Sequence, residues 1–426
     1  MKHDILSFSE NFPEKGIDAA QAYRKICEEL TMDGNIHLDL GSFTTTLMDP
    51  YADKLIMDQI GKNFIDFSEY QQTKKIHDRV VTMLSAMLHA PAQLTPVGTA
   101  TIGSSEAVEL ALLAHKWHWK KRQQANNRST ARPNIVYSSN AHVCWDKFAL
   151  YFDVEPRKIP IKSFNDYPIE EILKNIDKNT ICVGAVAGNT YTGSIDPIQE
   201  LNHRLSILNQ ENGWDIGIHV DAAIGGFILP FLPETKMLKW DFRLPLVRTI
   251  NLSGHKFGLV YPGVGWLIFR DQTALPRELI FSSHYLVEPI ETYTLNFSKG
   301  SSMILAQYFT LLQHGIEGYE KIISQCCTTA NILRQELEQS GYFKIIDDRT
   351  LPVVAFQLKN SDVVDIQALV TQLRAKNWML PAYKMPQNLE NEILIRVVVK
   401  ENFSPRMAEI LSNDIITAYE KLSFNT

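Results

Sequence analysis

The chain has 426 residues, of which 45% are hydrophobic, and its formal net charge is -6 at pH 7. This length is ample for a large buried core, while the mild negative charge disfavours nucleic acid and anionic membranes as partners. Five cysteines without a CxxC pair, and the absence of a secretory signal or an 18-residue apolar run, favour a reduced, cytoplasmic protein that does not span a membrane.

Apolar residues recur at steps of three and four in the first third of the chain, with a loop-rich stretch over residues 33–70. This spacing predicts helices over residues 18–32, 76–87 and 104–120. Five short, β-branched runs then alternate with helical or loop segments, and none shows period-two polarity. Such runs are typical of buried parallel strands. They predict strands over residues 134–139, 181–186, 215–220, 247–252 and 264–269.

The last third of the chain has a different order of elements. It predicts a long helix over residues 302–340, a strand over 353–358, a helix over 362–376, a strand over 393–399 and a last helix from about 405. We therefore expect an N-terminal segment (1–40), a large α/β domain (41–300) and a smaller α+β C-terminal domain (301–426).

Small and hydroxylated residues precede the predicted third helix in GTATIGSSEAVEL (98–110). Gly103 allows a close approach of the backbone, and Ser104 and Ser105 add hydroxyl groups to the free N–H groups of a helix start. Helix starts of this kind bind phosphate. An ordinary serine-capped helix has the same pattern.

Single charged or reactive residues follow three of the predicted strands. Asp221 in HVDAAIGGF either holds a cationic ring nitrogen or is a turn aspartate, and Ala223 leaves room for a flat ring. His142 in NAHVCWDKF either stacks on such a ring or bonds within its loop. Lys256 in SGHKFG is a lysine among apolar and small residues. It is either paired with a carboxylate or kept neutral to attack a carbonyl group.

These four segments are expected at one edge of the sheet, because the carboxyl ends of parallel strands lie together there. Taken together they suit a ligand with an aldehyde, a basic ring nitrogen and a phosphate group, which is pyridoxal 5′-phosphate. The lysine would bind the aldehyde, the aspartate would keep the ring nitrogen protonated, and the helix start would hold the phosphate.

Several segments resemble those of the group II pyridoxal-phosphate-dependent decarboxylases, and within them the bacterial glutamate decarboxylase branch: GTATIGSSEA, VCWDKFALYFDVEPRKIP, TYTGSIDP, HVDAAIGGF, WDFRLPLVRTINLSGHKFG and TLNFSKG. The resemblance extends from about residue 33 to about residue 420. It implies the α/β fold type I of pyridoxal-phosphate-dependent transferases (aspartate aminotransferase-like), with a mostly parallel sheet. It also implies conversion of L-glutamate to 4-aminobutanoate and CO2 through a Schiff base and a quinonoid intermediate.

The resemblance implies a role for each matched residue. Lys256 would form the Schiff base, and Asp221 would pair with the pyridinium nitrogen. The other cofactor contacts would come from Ser104, Ser105, His142, Thr190, Ala223, Ser253, His255 and, in the neighbouring subunit, Ser298.

The implied substrate contacts lie in other segments. Arg396 in ILIRVVV would bind the α-carboxylate. Tyr285 in SSHYLVEP matches a tyrosine on a mobile loop that would return a proton to Cα, with Lys256 as the alternative acid. The distal carboxylate of glutamate would be surrounded by Ser42, Phe43, Asn63 and Asp66, the last from the partner chain. An active site that is shared between two chains implies a homodimer.

The sequence departs from the glutamate branch at three positions. His142 replaces a glutamine and matches the stacking histidine of the aromatic amino acid branch, while Thr44 and Asp146 replace a cysteine and a histidine. Decarboxylation of another amino acid, a related carbon–carbon lyase reaction and a non-catalytic scaffold of this fold therefore stay open. His115 and His118 have helical i, i+3 spacing, but no third ligand set accompanies them, so we expect a solvated helix face and no metal.

Overall fold

The computed structural model describes residues 11–283 and 290–424. The α-helices found there, numbered in chain order, are α1 (Ala19–Leu30), α2 (Pro50–Gln59), α3 (Gln71–Met87), α4 (Ser104–Ala125), α5 (Cys144–Tyr151), α6 (Ile169–Lys174), α7 (Ile198–Asn212), α8 (Ser302–Gln339), α9 (Ile366–Arg374) and α10 (Pro405–Ser423). The strands are β1 (Val97–Thr101), β2 (Asn134–Ser138), β3 (Glu155–Ile159), β4 (Thr180–Val186), β5 (Gly217–Asp221), β6 (Val247–Ser253), β7 (Gly265–Phe269), β8 (Phe281–Ser283), β9 (Ile290–Thr292), β10 (Phe343–Ile345), β11 (Val353–Leu358), β12 (Ala382–Lys384) and β13 (Ile393–Val398).

A seven-stranded sheet with the order β1-β7-β6-β5-β4-β2-β3 organises the larger part of the chain. The five strands from β6 to β3 are parallel, whereas β7 is antiparallel to both of its neighbours, β6 and β1. The prediction of an α/β fold with a mostly parallel sheet is confirmed. The carboxyl ends of β1, β2, β4, β5 and β6 consequently lie at one edge of the sheet.

A second sheet, with the order β10-β11-β13-β12, is fully antiparallel and is covered by α9 and α10. Helix α8 joins the two parts, because its first half packs in the core of the large sheet and its second half in the core of the small one. Leu40 also belongs to the second core, where its amide donates to Met379 O and its carbonyl accepts from the Val398 amide. We propose a domain boundary near residue 300, with residues 38–41 anchored on the C-terminal sheet.

Most predicted elements are found within a few residues of their expected bounds, and capping residues explain several of the ends. Asp18 accepts a hydrogen bond from the Gln21 amide at the start of α1. Helix α2 lies in the stretch predicted to be loop-rich, and it begins at Pro50 after the capping Asp49. The predicted long helix is interrupted, because Gly315 has a φ of 57° and a ψ of −167° within α8. None of the described helices is long and apolar enough to cross a membrane.

Candidate active site

A cavity of about 180 Å³ lies at the sheet edge where the strand ends meet. It brings together nine of the ten predicted cofactor residues: Ser104, Ser105, His142, Thr190, Asp221, Ala223, Ser253, His255 and Lys256. A larger, apolar cavity of about 710 Å³ next to Gly315 shares none of these residues. The chemistry points to the smaller cavity, since a lysine, an aspartate and a helix start converge there, whereas the larger cavity has a mostly apolar lining.

Lys256 follows β6 and extends its amine into the cavity. The surrounding protein lowers the pKa of this amine by desolvation, and the positive charge of Arg396 adds to the effect, whereas the attraction of Asp221 opposes it. The Lys256 carbonyl accepts a hydrogen bond of 2.7 Å from the Thr45 hydroxyl, which fixes the backbone of the lysine. Lys256 thus has the lowered basicity that a nucleophilic amine requires.

Asp221 ends β5 and is almost fully buried, with 4% of its surface exposed. Its Oδ1 accepts hydrogen bonds from the Asn251 side-chain amide (2.9 Å) and from the Ala223 backbone amide (3.1 Å). Its Oδ2 has only a long contact of 3.5 Å from Trp145 Nε1. A buried carboxylate needs charge or hydrogen-bond partners, and Oδ2 retains the capacity to accept one from a ligand in the cavity.

The start of α4 forms the opposite end of the cavity. Gly103 precedes the helix and offers no capping side chain, so the first N–H groups remain available. The Ser104 hydroxyl is 2.7 Å from the Ser253 hydroxyl, and the His255 Nδ1 lies 3.3 Å from Val264 O. A helix start with two hydroxyl groups is a suitable binding place for a phosphate dianion.

His142 lies at the mouth of the cavity, and its side chain is exposed. The Cys144 amide donates to His142 Nδ1 over 3.3 Å, so the neutral ring carries its proton on Nε2. Desolvation by surrounding atoms lowers the pKa of His142, which favours this neutral form at pH 7. A neutral, accessible ring is free to stack on a planar ligand.

Arg396, on β13, is a buried guanidinium whose hydrogen-bond acceptors are backbone carbonyl oxygens. It donates to Thr190 O and to Gly41 O, and its Nε has no partner among the described residues. Its central carbon lies 4.7 Å from the Phe43 ring centre and 5.3 Å from that of Tyr383. Asp39 and Tyr383 stabilise this charge in part. A buried cation held mainly by rings and neutral oxygens is suited to bind an anion.

The predicted substrate residues Ser42 and Phe43 lie in the segment that connects Arg396 to Lys256. The Ser42 hydroxyl donates to the Thr44 hydroxyl over 2.8 Å, and the buried Lys400 amine donates to Thr44 O and to Asp39 O just before the segment. The Thr45 amide donates to His255 O over 2.8 Å. This segment, residues 41–46, is therefore attached to both the lysine and the arginine.

Asn63, Asp66 and Ser298 form a separate group that does not line the cavity of their own chain. The Asn63 side-chain amide is 3.3 Å from the Ser298 hydroxyl, and its oxygen accepts from the Lys299 amide. The Asp66 amide donates to Asn63 O over 3.2 Å. Tyr285 lies outside the described residues, so its predicted role stays a prediction.

Contacts that depend on strand alignment were not predicted from the sequence, chiefly those of Asn251 with Asp221 and of Tyr383 with Arg396. The expectation of a solvated helix face was wrong for His115, because this residue is 3% exposed and lies 3.0 Å from the Thr249 hydroxyl. His118 lies 3.1 Å from Ala274 O. No group of three or more His, Cys, Asp or Glu side chains suited to a metal ion occurs in residues 11–283 and 290–424.

Comparison with known proteins agrees with this geometry. The family model of the pyridoxal-dependent decarboxylase conserved domain matches residues 13–359. A glutamate decarboxylase of Petunia hybrida is 45% identical over 408 residues, which cover 95% of this chain and 81% of the relative. A glutamate decarboxylase of Lactococcus lactis subsp. lactis (strain IL1403) is 39% identical over 417 residues, which cover 96% of this chain and 89% of the relative. The solved structure of Lactobacillus brevis CGMCC 1306 glutamate decarboxylase superposes with a TM-score of 0.93 at 37% identity, covering 99% of this chain and 96% of that one. The chain belongs to the pyridoxal-dependent decarboxylase family.

Proposed function

We propose that the chain removes the α-carboxylate of L-glutamate, releasing 4-aminobutanoate and CO2, with pyridoxal 5′-phosphate bound in the 180 Å³ cavity. The observation that carries the proposal is Arg396, a buried cation whose Nε lacks a partner in the described part of the chain. It lies on the same aromatic ring as the Lys256 amine. A substrate carboxylate bound there would lie beside the reactive amine.

The residues of the cavity fit the cofactor. The free acceptor capacity of Asp221 Oδ2 suits a protonated ring nitrogen, the start of α4 with Ser104 suits the phosphate, and the Lys256 amine suits the aldehyde. His142 at the mouth and Ala223 within the cavity leave space for a flat ring. When bound, the cofactor supplies an electron-withdrawing ring that takes up the electron pair of the breaking bond.

Side chains of this protein carry out the remaining steps. Arg396 grips the α-carboxylate through its planar fork and so fixes the direction of the bond to be broken. The Ser42 hydroxyl would exchange its hydrogen bond to Thr44 for one to the distal carboxylate, which would distinguish glutamate from shorter or apolar amino acids. Lys256, whose pKa is lowered, is both the amine that exchanges with the substrate amine and an acid that returns a proton to Cα. We keep Tyr285 as the alternative acid.

The relatives named above are glutamate decarboxylases, which supports glutamate over other amino acids. His142 favours the alternative, a decarboxylase of another amino acid, since it replaces the glutamine of the glutamate branch. Incubation of the purified, cofactor-loaded protein with each of the common amino acids, followed by CO2 release, separates the two. We expect turnover of glutamate, and turnover of another amino acid without glutamate would overturn the proposal.

We also propose a cytoplasmic homodimer in which each active site is completed by the partner. The five cysteines are all free thiols, which suits a reducing compartment. The group of Asn63, Asp66 and Ser298 supports the shared site, because these residues are joined to one another but lie away from the cavity of their own chain. Residues of a second copy would then meet the cofactor phosphate and the distal carboxylate of the substrate.

A further inference from the structure

Asn251 is a buried residue that faces the carboxylate of Asp221. It lies opposite Asp221 in the alignment of β6 with β5, and none of its surface is exposed. Its side-chain amide donates to Asp221 Oδ1, which also accepts from the Ala223 amide. Oδ1 therefore accepts two hydrogen bonds, while Oδ2 can accept a hydrogen bond from a ligand in the cavity.

The amide of Asn251 has only one orientation compatible with this arrangement. An ionised carboxylate is purely an acceptor, so the nitrogen of the amide, and not its oxygen, must face Asp221. The Asn251 oxygen is buried and has no hydrogen-bond partner of ordinary geometry in the described residues, and the same is true of His219 Nε2. The interaction of Asn251 with His219 acts to raise the pKa of that histidine. The oxygen of the amide is thus directed away from the cavity.

Three side chains next to Asn251, those of His219, Thr249 and His115, form a hydrogen-bonded row. His219 Nδ1 is 2.9 Å from the Thr249 hydroxyl, which also lies 3.0 Å from His115 Nε2. Both histidines are buried, and desolvation lowers the pKa of each, that of His219 to about 4. They are uncharged at pH 7, so neither histidine competes as a cation for Asp221.

We propose that Asn251 is a positioning residue: it holds the Asp221 carboxylate so that Oδ2 meets the ring nitrogen of the cofactor and that nitrogen stays protonated. The inference deepens the proposed function and rests on the proposed cofactor site. Loss of the amide leaves Asp221 with one donor fewer, which makes the carboxylate more basic and frees it to rotate. Both changes move the shared proton away from the ring.

The test compares Asn251→Ala with the wild type as full-length protein. Fluorescence titration measures the dissociation constant of pyridoxal 5′-phosphate, and 15N NMR of cofactor labelled at the ring nitrogen reports its protonation. We expect the dissociation constant to rise about fivefold to tenfold, the effect of losing a charge-assisted hydrogen bond. We also expect the 15N signal to move toward the unprotonated ring.

Asn209→Ala is the matched control, because Asn209 is also buried and bonds Ile216 through both of its polar atoms but lies away from the cavity. An unchanged 15N signal and affinity in a folded Asn251→Ala protein, or an equal change in Asn209→Ala, would overturn the inference. If Asn251→Ala does not fold, Asn251→Val, which fills more of the buried space but has no donor, is judged by the same two criteria. Neither readout uses an amino acid substrate, so failure of glutamate turnover in the wild type would count against the proposed function alone.

Discussion

Lys256 and Arg396 contact the same aromatic ring: the amine nitrogen lies 5.1 Å, and the guanidinium carbon 4.7 Å, from the centre of Phe43. Desolvation lowers the pKa of the Lys256 amine, and repulsion between the two groups adds to this effect. This repulsion is relieved when an anion binds to the arginine. The arrangement therefore links binding of a substrate carboxylate to the state of the reactive amine.

Replacement of the lysine tests its covalent role. Lys256→Ala should lose at least about 10³-fold in decarboxylation rate, because none of the other described residues that line the cavity has an amine to replace it as nucleophile and proton carrier. After borohydride treatment, mass spectrometry of peptides should find the cofactor fixed to residue 256 in the wild type and absent there in the variant. Labelling of a different lysine in the wild type would contradict the assignment.

Replacement of the arginine tests the contact with the α-carboxylate. Arg396→Lys keeps the charge but loses the planar fork, so we expect the KM for glutamate to rise about 30-fold, equivalent to about 2 kcal/mol. Inhibition by 4-aminobutanoate, which has no α-carboxylate, serves as the control and should change little. An equal loss of affinity for both compounds would indicate a damaged site and contradict the proposed contact.

The residues at strand ends could be predicted because apolar, β-branched runs identify buried parallel strands, whose carboxyl ends must share an edge. The contacts between residues on neighbouring strands could not be predicted. Asn251 meets Asp221 only because β5 and β6 pair in a register that shifts between Ile218 and His219, and hydropathy carries no information on register. Asn251 was therefore missed, although it lies in WDFRLPLVRTINLSGHKFG, one of the segments that carry the family resemblance.

Two strands of the seven-stranded sheet were missed for reasons of composition. Strand β1, VGTAT, consists of small residues, and β3, EPRKI, is a polar strand at the sheet edge. Neither has the apolar run that identifies a buried strand. Helix α2 was missed in spite of a usable signal, since an aspartate followed by proline is a common helix start.

Mixing of two inactive variants tests the shared active site. Lys256→Ala and Ser298→Ala protein, co-expressed in equal amounts, should form mixed dimers in which one of the two sites has both residues intact. If subunits pair at random, about one quarter of the wild-type activity should return. A mixture no more active than its separate components would contradict a site completed by the partner.

The buried amine of Lys299 predicts a pH dependence of stability. Desolvation lowers its pKa from 10.5 to about 8, and the amine donates to Ala100 O over 2.6 Å. Between these two pH values the unfolded chain binds a proton that the folded chain lacks, so this lysine makes the free energy of unfolding rise with pH from about 8 to 10.5.

Lys299→Met removes this contribution, so the difference in free energy of unfolding between wild type and variant should be flat below pH 8 and should shift in favour of the wild type above it. Denaturant unfolding at several pH values measures the difference. Lys54→Met, at an exposed lysine paired with Asp58, controls for the loss of one ammonium group. A difference for Lys299→Met that declines between pH 8 and 10 would contradict the assignment.

The close approach of β7 to the start of α4 predicts the effect of a single methyl group. A Cβ atom on Gly265 would lie 2.5 Å from the Gly103 carbonyl carbon and 2.7 Å from the Ser104 nitrogen, so the helix start must shift. Gly265→Ala should lower stability by about 1–3 kcal/mol. It should also weaken binding of pyridoxal 5′-phosphate, because the displaced N–H groups belong to the proposed phosphate site.

Gly61→Ala is the control for this substitution, since its added methyl group meets no atom within 4 Å. Thermal unfolding and fluorescence titration with the cofactor should separate the two variants, with an effect on cofactor affinity only at Gly265. Because the added methyl group removes no polar group and displaces the helix start with Ser104 and Ser105, a loss of affinity would locate the phosphate there. Unaltered affinity together with lowered stability would place the phosphate elsewhere.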